Sequence, residues 1–189
     1  MKKSIGAKTL LYPAPVLVVG TYDDKGHPNV MTAAWGGICC SKPPCVMVAL
    51  RKATYSYGGI DANRAFTISI PSTGHAKEAD FFGMASGKNT DKFAKSGLTA
   101  VKSDRVNAPY VAEFPVVLEC ELRHAVELGL HTQFVGEVMD VKADPDVLGD
   151  DGLPDMEKIQ PMLFAPESRK YYSVGGVVGE AFSMGKDIR

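Results

Sequence analysis

Strand-length apolar runs broken by glycine and proline run through most of the chain, and they leave little room for a helical bundle or a doubly wound sheet. The longest are residues 16–19 (Val-Leu-Val-Val) and 46–50 (Val-Met-Val-Ala-Leu). Such lengths suit β-strands and fall far short of the roughly 18 apolar residues of a membrane span. With 19 glycines and 12 prolines among 189 residues and no collagen period, turns are frequent and elements short. Residues 16–22, the turn Asp23-Asp24-Lys25-Gly26 and residues 29–35 together predict a β-hairpin. Over 16–19, residues of both parities are apolar, so both faces of that strand need cover, from a second copy of the chain or from inserted helices.

A third strand is expected over 45–50, between Pro43-Pro44 and Arg51-Lys52. A short helix follows over 54–63, with Thr54 or Ser56 as its cap, Ile60 as its inward anchor and Gly58-Gly59 weakening it. Residues 65–70 read as a strand, and 77–85 and 89–96 as two short helices separated by Ser86-Gly87-Lys88. Two long β-type stretches cover 116–126 and 134–142. In the first, Val117, Glu119, Glu121 and Arg123 alternate with Val116, Leu118, Cys120 and Leu122, which predicts one wet face. Five aspartates over 144–155 predict an exposed loop; a last strand is expected over 170–174, and Gly175-Gly176-Val177-Val178-Gly179 begins a flexible end. Helices never alternate strictly with strands, so the expected fold is a mainly β barrel or sandwich with short inserted helices, one domain over 1–189 with an extended C-terminal segment.

Charge narrows the partners. Twenty-one basic residues balance 22 acidic ones, and a net charge of -1 supplies no field to attract nucleic acid or anionic lipid. Neither nucleic acid nor membrane is an expected partner. Lys2, Lys3 and Lys8 precede only Leu10-Leu11, too short an apolar stretch for a secretory signal, so a cytoplasmic location is expected. Cys39, Cys40, Cys45 and Cys120 show neither C-x-x-C nor zinc spacing. The adjacent Cys39 and Cys40 are either a vicinal disulfide or reactive dithiol, or, with the other two, reduced structural residues. His27, His75, His124 and His131 lack metal-ligand spacing, and no metal site is expected. The chain has no G-x-G-x-x-G and no P-loop, and Ala181-x-Ser183-x-Gly185 leaves no room downstream for the partners of a hydrolase serine.

Three local patterns carry candidate chemistry. Asn29, Met31, Ala33 and Trp35 share one strand face, which suits either a planar heteroaromatic ligand or an ordinary core. Arg51, with Thr54 and Ser56 at a helix start, forms either an anion site or a neutral cap beside a surface arginine. Lys92, just before the anchor Phe93, is a second cation for that site or a solvated lysine. His131, entering a strand after Gly129, faces either a cleft or solvent.

Taken in order, several segments resemble the flavin reductase-like FMN-binding split-barrel family. They are Pro13-x-Pro15-Val16, Gly26-x-x-Asn29-x-Met31-Thr32-x-x-Trp35, Pro43-Pro44, and Arg51 with Ser56. Ser86-Gly87 with Asp91-Lys92-Phe93, Leu118-Glu119-Cys120, and His131 with Gly136-Glu137-Val138 extend the match over roughly residues 13–141. The resemblance implies a Greek-key split β-barrel, one noncovalent FMN per chain and a homodimer with the flavin near its interface. It implies that Asn29, Met31, Thr32, Ala33 and Trp35 line the flavin, and that Arg51, Ser56 and Lys92 hold its phosphate or ribityl end. Ser86 and Gly87 would add donors, Phe164 would cover the ring, and His131 would approach the flavin as the candidate catalytic group. It further implies electron transfer with a redox partner protein. The alternatives are an NAD(P)H-dependent flavin or ferric-complex reductase and a non-redox FMN-binding or structural barrel.

Overall fold

Asp23 closes the first hairpin: its carboxylate accepts the backbone N–H groups of Lys25 and His27, each at 2.8 Å. The computed structural model describes residues 1–186 and Ile188. In chain order its first elements are β1 (Ala14–Pro15), β2 (Leu17–Tyr22), β3 (Pro28–Ala33), β4 (Gly36–Ser41), β5 (Pro44–Arg51), α1 (Tyr55–Asn63) and β6 (Ala65–Ile70). Next come α2 (Ala76–Met84), α3 (Lys92–Ser96), β7 (Ala100–Lys102) and β8 (Pro109–Val111). The long β9 (Val116–Leu128) and β10 (His131–Ala143) precede α4 (Met156–Ile159), β11 (Leu163–Ala165) and β12 (Lys170–Tyr172).

Seven strands form one antiparallel sheet in the order β3-β2-β6-β9-β10-β5-β4. Its inner face buries Leu17 and Val19 of β2 against Val46, Val48 and Leu50 of β5, with Phe66 and Phe134 between them. Residues far apart in the strand order thus share one interior, and the sheet curls into a barrel split where its edge strands β3 and β4 do not pair. A second cluster lies outside the barrel wall, where Val18 and Val30 pack on Phe82, Phe93, Val111 and Phe114. Val16 joins Ala79 and Met162 in a third. The chain's own inserted helices therefore cover the outer face of β2. Among the described residues no helix is long and apolar enough to cross a membrane.

Five expectations change. β4 was not foreseen: the strand expected to end at Trp35 is followed at once by another, mostly exposed, over Gly36–Ser41. The wet face of β9 is dry in its first half. Glu119 is fully buried, its Oε1 3.1 Å from Lys142 Nζ and its Oε2 accepting the Arg105 N–H at 2.9 Å. Thr54 occupies the N-cap position of α1, but its hydroxyl donates to the Arg51 carbonyl and leaves the first-turn N–H groups uncapped by a side chain. The acidic stretch after β10 includes a 3₁₀ turn, Pro145–Val147, whose Val147 packs on Val116 and Ile159. The last strand ends at Tyr172, and 175–179 is exposed without regular structure.

The two glycines of α1 play opposite parts. A Cβ at Gly59 would stand 2.6 Å from the Tyr22 carbonyl oxygen, so this residue lets the helix lie directly on β2, whereas one at Gly58 would meet nothing within 4 Å. Gly58→Ala should raise unfolding free energy by roughly 0.5–1 kcal/mol through helix propensity, and Gly59→Ala should lower it by about 1–3 kcal/mol through overpacking. Urea midpoints at unchanged slope are the measurement; equal midpoints for the two variants would contradict the packing of α1 on β2.

Candidate functional site

The edge strand β3, the end of β5, the start of α1 and the helix α2 meet around two adjoining cavities. The larger, of about 370 Å³, takes in Met31, Thr32, Ala33 and Trp35 with Arg51, His131 and Phe164. The smaller, of about 220 Å³, takes in Ser56, Ser86, Gly87 and Lys92. Met31, Thr54, Gly83 and Met84 line both, so the two form one chamber with a wide and a narrow end.

Strand pairing sets the wide end. Register places His131 of β10 opposite Arg51 of β5. The Trp35 and His131 rings lie nearly parallel, at 8°, with centroids 6.5 Å apart. Thr32 spends its hydroxyl as a donor to the Ala79 carbonyl of α2 and presents mainly its carbon surface. Phe164 pairs with Ala14 across β1 and β11 and packs on Tyr171 at 5.4 Å. Tyr171 donates to Asp80 of α2 at 2.8 Å, and burial, reinforced by that carboxylate, pushes its phenol up to about 12. The C-terminal hairpin β11–β12 is thereby tied to α2 as a wall of the cavity.

Polar groups are concentrated at the narrow end. Asn29 does not line it but stands behind it, donating from Nδ2 to Ser56 Oγ at 2.8 Å, which leaves the serine O–H free to donate. The Asn29 carbonyl oxygen is buried without a partner. Gly87 is seated against that group: a Cβ there would come within 2.2 Å of Asn29 Oδ1 and 2.6 Å of Tyr55 Cδ1. Lys92, only 4% exposed, donates to the Val30 carbonyl at 2.7 Å and the Phe82 carbonyl at 2.8 Å, keeping one of its three donors uncommitted. Burial lowers its ammonium pKa to about 8. The uncapped first turn of α1 adds backbone N–H groups to the same end.

The structure thus gathers Met31, Thr32, Ala33, Trp35, Arg51, Ser56, Ser86, Gly87, Lys92, His131 and Phe164 on one chamber, with Asn29 one layer behind. It separates Arg51, at the wide end beside His131, from Ser56 and Lys92 at the narrow end. Sequence reasoning missed Asp80, Met84 and Tyr171 as lining residues. Asp80 and Met84 belong to a helix whose position on the sheet no local pattern encodes, and Tyr171 arrives through a three-residue strand.

Comparison with known proteins agrees with this arrangement. The chain is similar to the flavoredoxin of Desulfovibrio vulgaris (Miyazaki F), with 57% identity and a TM-score of 0.94 over 98% of this chain and 100% of that one. It is also similar to a flavoredoxin from Methanosarcina acetivorans, with 29% identity and a TM-score of 0.92 over the full length of both. An uncharacterized protein of Archaeoglobus fulgidus is 34% identical over 131 residues, 69% of this chain and 73% of that protein. The model of the flavin reductase like domain matches residues 9–174, so the chain belongs to the flavin reductase-like family of split-barrel proteins.

Proposed function

We propose that this protein holds one FMN in the two-ended chamber and serves as an electron-transfer partner of another redox protein. The observation that carries the reading is the joining of an apolar end to a narrow end that holds a buried ammonium, a serine hydroxyl and an uncapped helix start. A flavin mononucleotide has the same polarity, a flat ring at one end and a phosphate at the other. Its two flavoredoxin neighbours support the electron-carrier reading. Bound flavin supplies a group that accepts and releases electrons.

The protein side chains do the rest. Lys92, already fixed by two carbonyls, and Ser56, with its free O–H, hold the phosphate. Met31, Ala33, Trp35 and Phe164 exclude water from the ring, and Arg51 neutralises charge along its edge. His131 brings an imidazole nitrogen that can take or give a proton at the chamber wall. Purified protein should release FMN, and anaerobic mixing with NADH or NADPH should bleach the flavin slowly or not at all, while a low-potential protein donor reduces it fast. Recovery of FAD would refute the cofactor. Saturable bleaching by a nicotinamide at tens per second would make the protein a reductase, and loss of that rate in His131→Ala would place the histidine in it.

Phosphate anchoring has a pH signature. The free protein loses the Lys92 proton at about pH 8, whereas a bound phosphate would hold it to higher pH. Binding then takes up a proton above that value, and FMN affinity should fall with a slope approaching one log unit per pH unit, while riboflavin affinity stays level. Lys92→Met should abolish the slope and weaken FMN by roughly 10- to 100-fold through loss of a charge-assisted bond. Fluorescence titration of both ligands measures this; a parallel loss for riboflavin would mean general destabilisation.

We also propose a homodimer. Since α2 and α3 already cover β2, the surface that calls for a partner lies elsewhere, at the outer end of the β9–β10 hairpin. Val126, Leu128 and Leu130 are 46, 57 and 64% exposed there. Leu128 also lines an apolar groove of about 620 Å³ that shares Ala34, Trp35 and Ala49 with the wide end of the chamber. A second copy seated on it would shield the flavin edge. Sedimentation at micromolar concentration should show a dimer, and Leu128→Glu with Leu130→Glu should show a monomer with weakened FMN binding; a monomeric wild type would reject the proposal.

A further inference from the structure

Three of the four cysteines sit at the far end of the β4–β5 hairpin, away from the chamber. Ser41 pairs with Pro44 and Cys40 with Cys45, so the connection consists of Lys42 and Pro43 alone. The register shifts between Ile38 and Cys40, which makes Cys39 the extra residue of a bulge, with none opposite it. Directly opposed residues of an antiparallel pair share a face, with Cα atoms about 4.5–5.5 Å apart. That spacing falls inside the roughly 4.4–6.8 Å a disulfide requires. All four cysteines are unbonded thiols, Cys40 exposed and Cys45 buried. Burial, and then the nearby sulfurs of Cys40 and Cys39, push the Cys45 thiol up. Cys120 belongs to another strand, β9. It faces Phe66 and Val138 across its neighbouring strands, and burial, reinforced by the nearby Cys45 and Glu119, pushes its thiol up to about 12. Among the described residues no group of three or more histidine, cysteine or acidic side chains is placed to hold a metal ion.

We propose that Cys40 and Cys45 form a redox-active dithiol that closes into a cross-strand disulfide by exchange with a low-molecular-weight disulfide of the glutathione class. The exposed Cys40 is the attacking group: as thiolate it adds to one sulfur of the small disulfide and expels the other half as a thiolate, leaving a mixed disulfide on Cys40. Cys45 then loses its proton and attacks Cys40 Sγ, forming the Cys40–Cys45 bond and expelling the second half. In balance, two protein thiols are oxidised and one small disulfide is reduced to two thiols. The buried, weakly acidic Cys45 makes the second step the slower one. The hairpin thiols and the chamber are separate sites. The two sites are nonetheless in mechanical contact, because the same strands carry the Ala49 N–H bond to the Trp35 carbonyl, 2.8 Å, and Arg51 at their other end.

The test is to incubate the purified, reduced full-length protein with oxidised glutathione, quench with iodoacetamide and record the intact mass. Wild type, Cys39→Ser and Cys120→Ser should each lose two alkylatable thiols and about 2 Da, without retained glutathione. Cys45→Ser and Cys45→Ala should stop with one glutathionyl group on Cys40, and Cys40→Ser should form no internal bond. The proposal fails if wild type retains glutathione or does not react. It fails equally if the internal bond survives in both Cys45 variants and disappears in Cys39→Ser, since that would identify a vicinal Cys39–Cys40 pair.

Discussion

β2 is buried on both faces, and the rest of the fold is arranged to satisfy it. Val18 and Val19 are both fully buried, yet they belong to different clusters, one outside the barrel and one within. Burying such a side chain stabilises by roughly 1.5–3 kcal/mol, so neither face can be left to water without a serious loss. The inner demand draws β5, β6 and β10 into a curled sheet. The outer demand brings α2 and α3 against the wall, with Phe82 and Phe93 directed at Val18 and Val30. The chamber lies where these two arrangements meet, at the open edge of β3.

That geometry explains what could be read in advance. The first hairpin was legible because Asp23 both forms and marks its turn, and α1 because Ile60 is its inward anchor, as expected. β4 was not, since Gly36-Gly37-Ile38-Cys39-Cys40-Ser41 opens with two glycines, shows no apolar alternation and is held by pairing with β5. Glu119 misled for a different reason. Alternation marks a charged position as wet, but the ion pair and the backbone N–H that accompany its burial come from Lys142 and Arg105, remote in the sequence. Of the chamber, Met31 and Ala33 of β3 were accessible through their shared parity, whereas Thr32, on the opposite parity, came only with the family resemblance. Tyr171 and Asp80 were beyond reach, because β1, β11 and β12 unite the two ends of the domain in a sheet that no local pattern encodes.

The electrostatics of the chamber are built in before any ligand arrives. Lys92 is not a mobile surface cation; its ammonium is bonded to carbonyls of β3 and α2, which fix its position. The Asn29–Ser56 bond orients a hydroxyl, and Gly87 keeps the space that this pair needs. Such preorganisation lowers the ordering cost of binding an anion. It also restricts substitution, because each group is held by a residue of a different element.

The clasp between Tyr171 and Asp80 has an evolutionary consequence. It adds an exposed hydrogen bond to the packing by which Phe164, with Val16 and Met162, already holds a small, separate sheet on Ala79 of α2, and the seven-stranded sheet takes no part in that bond. Descendants of such a chain can lengthen, shorten or recompose the wall formed by β11 and β12 with no change of register in the barrel. The shape of the chamber's opening is thus free to diverge faster than the barrel behind it.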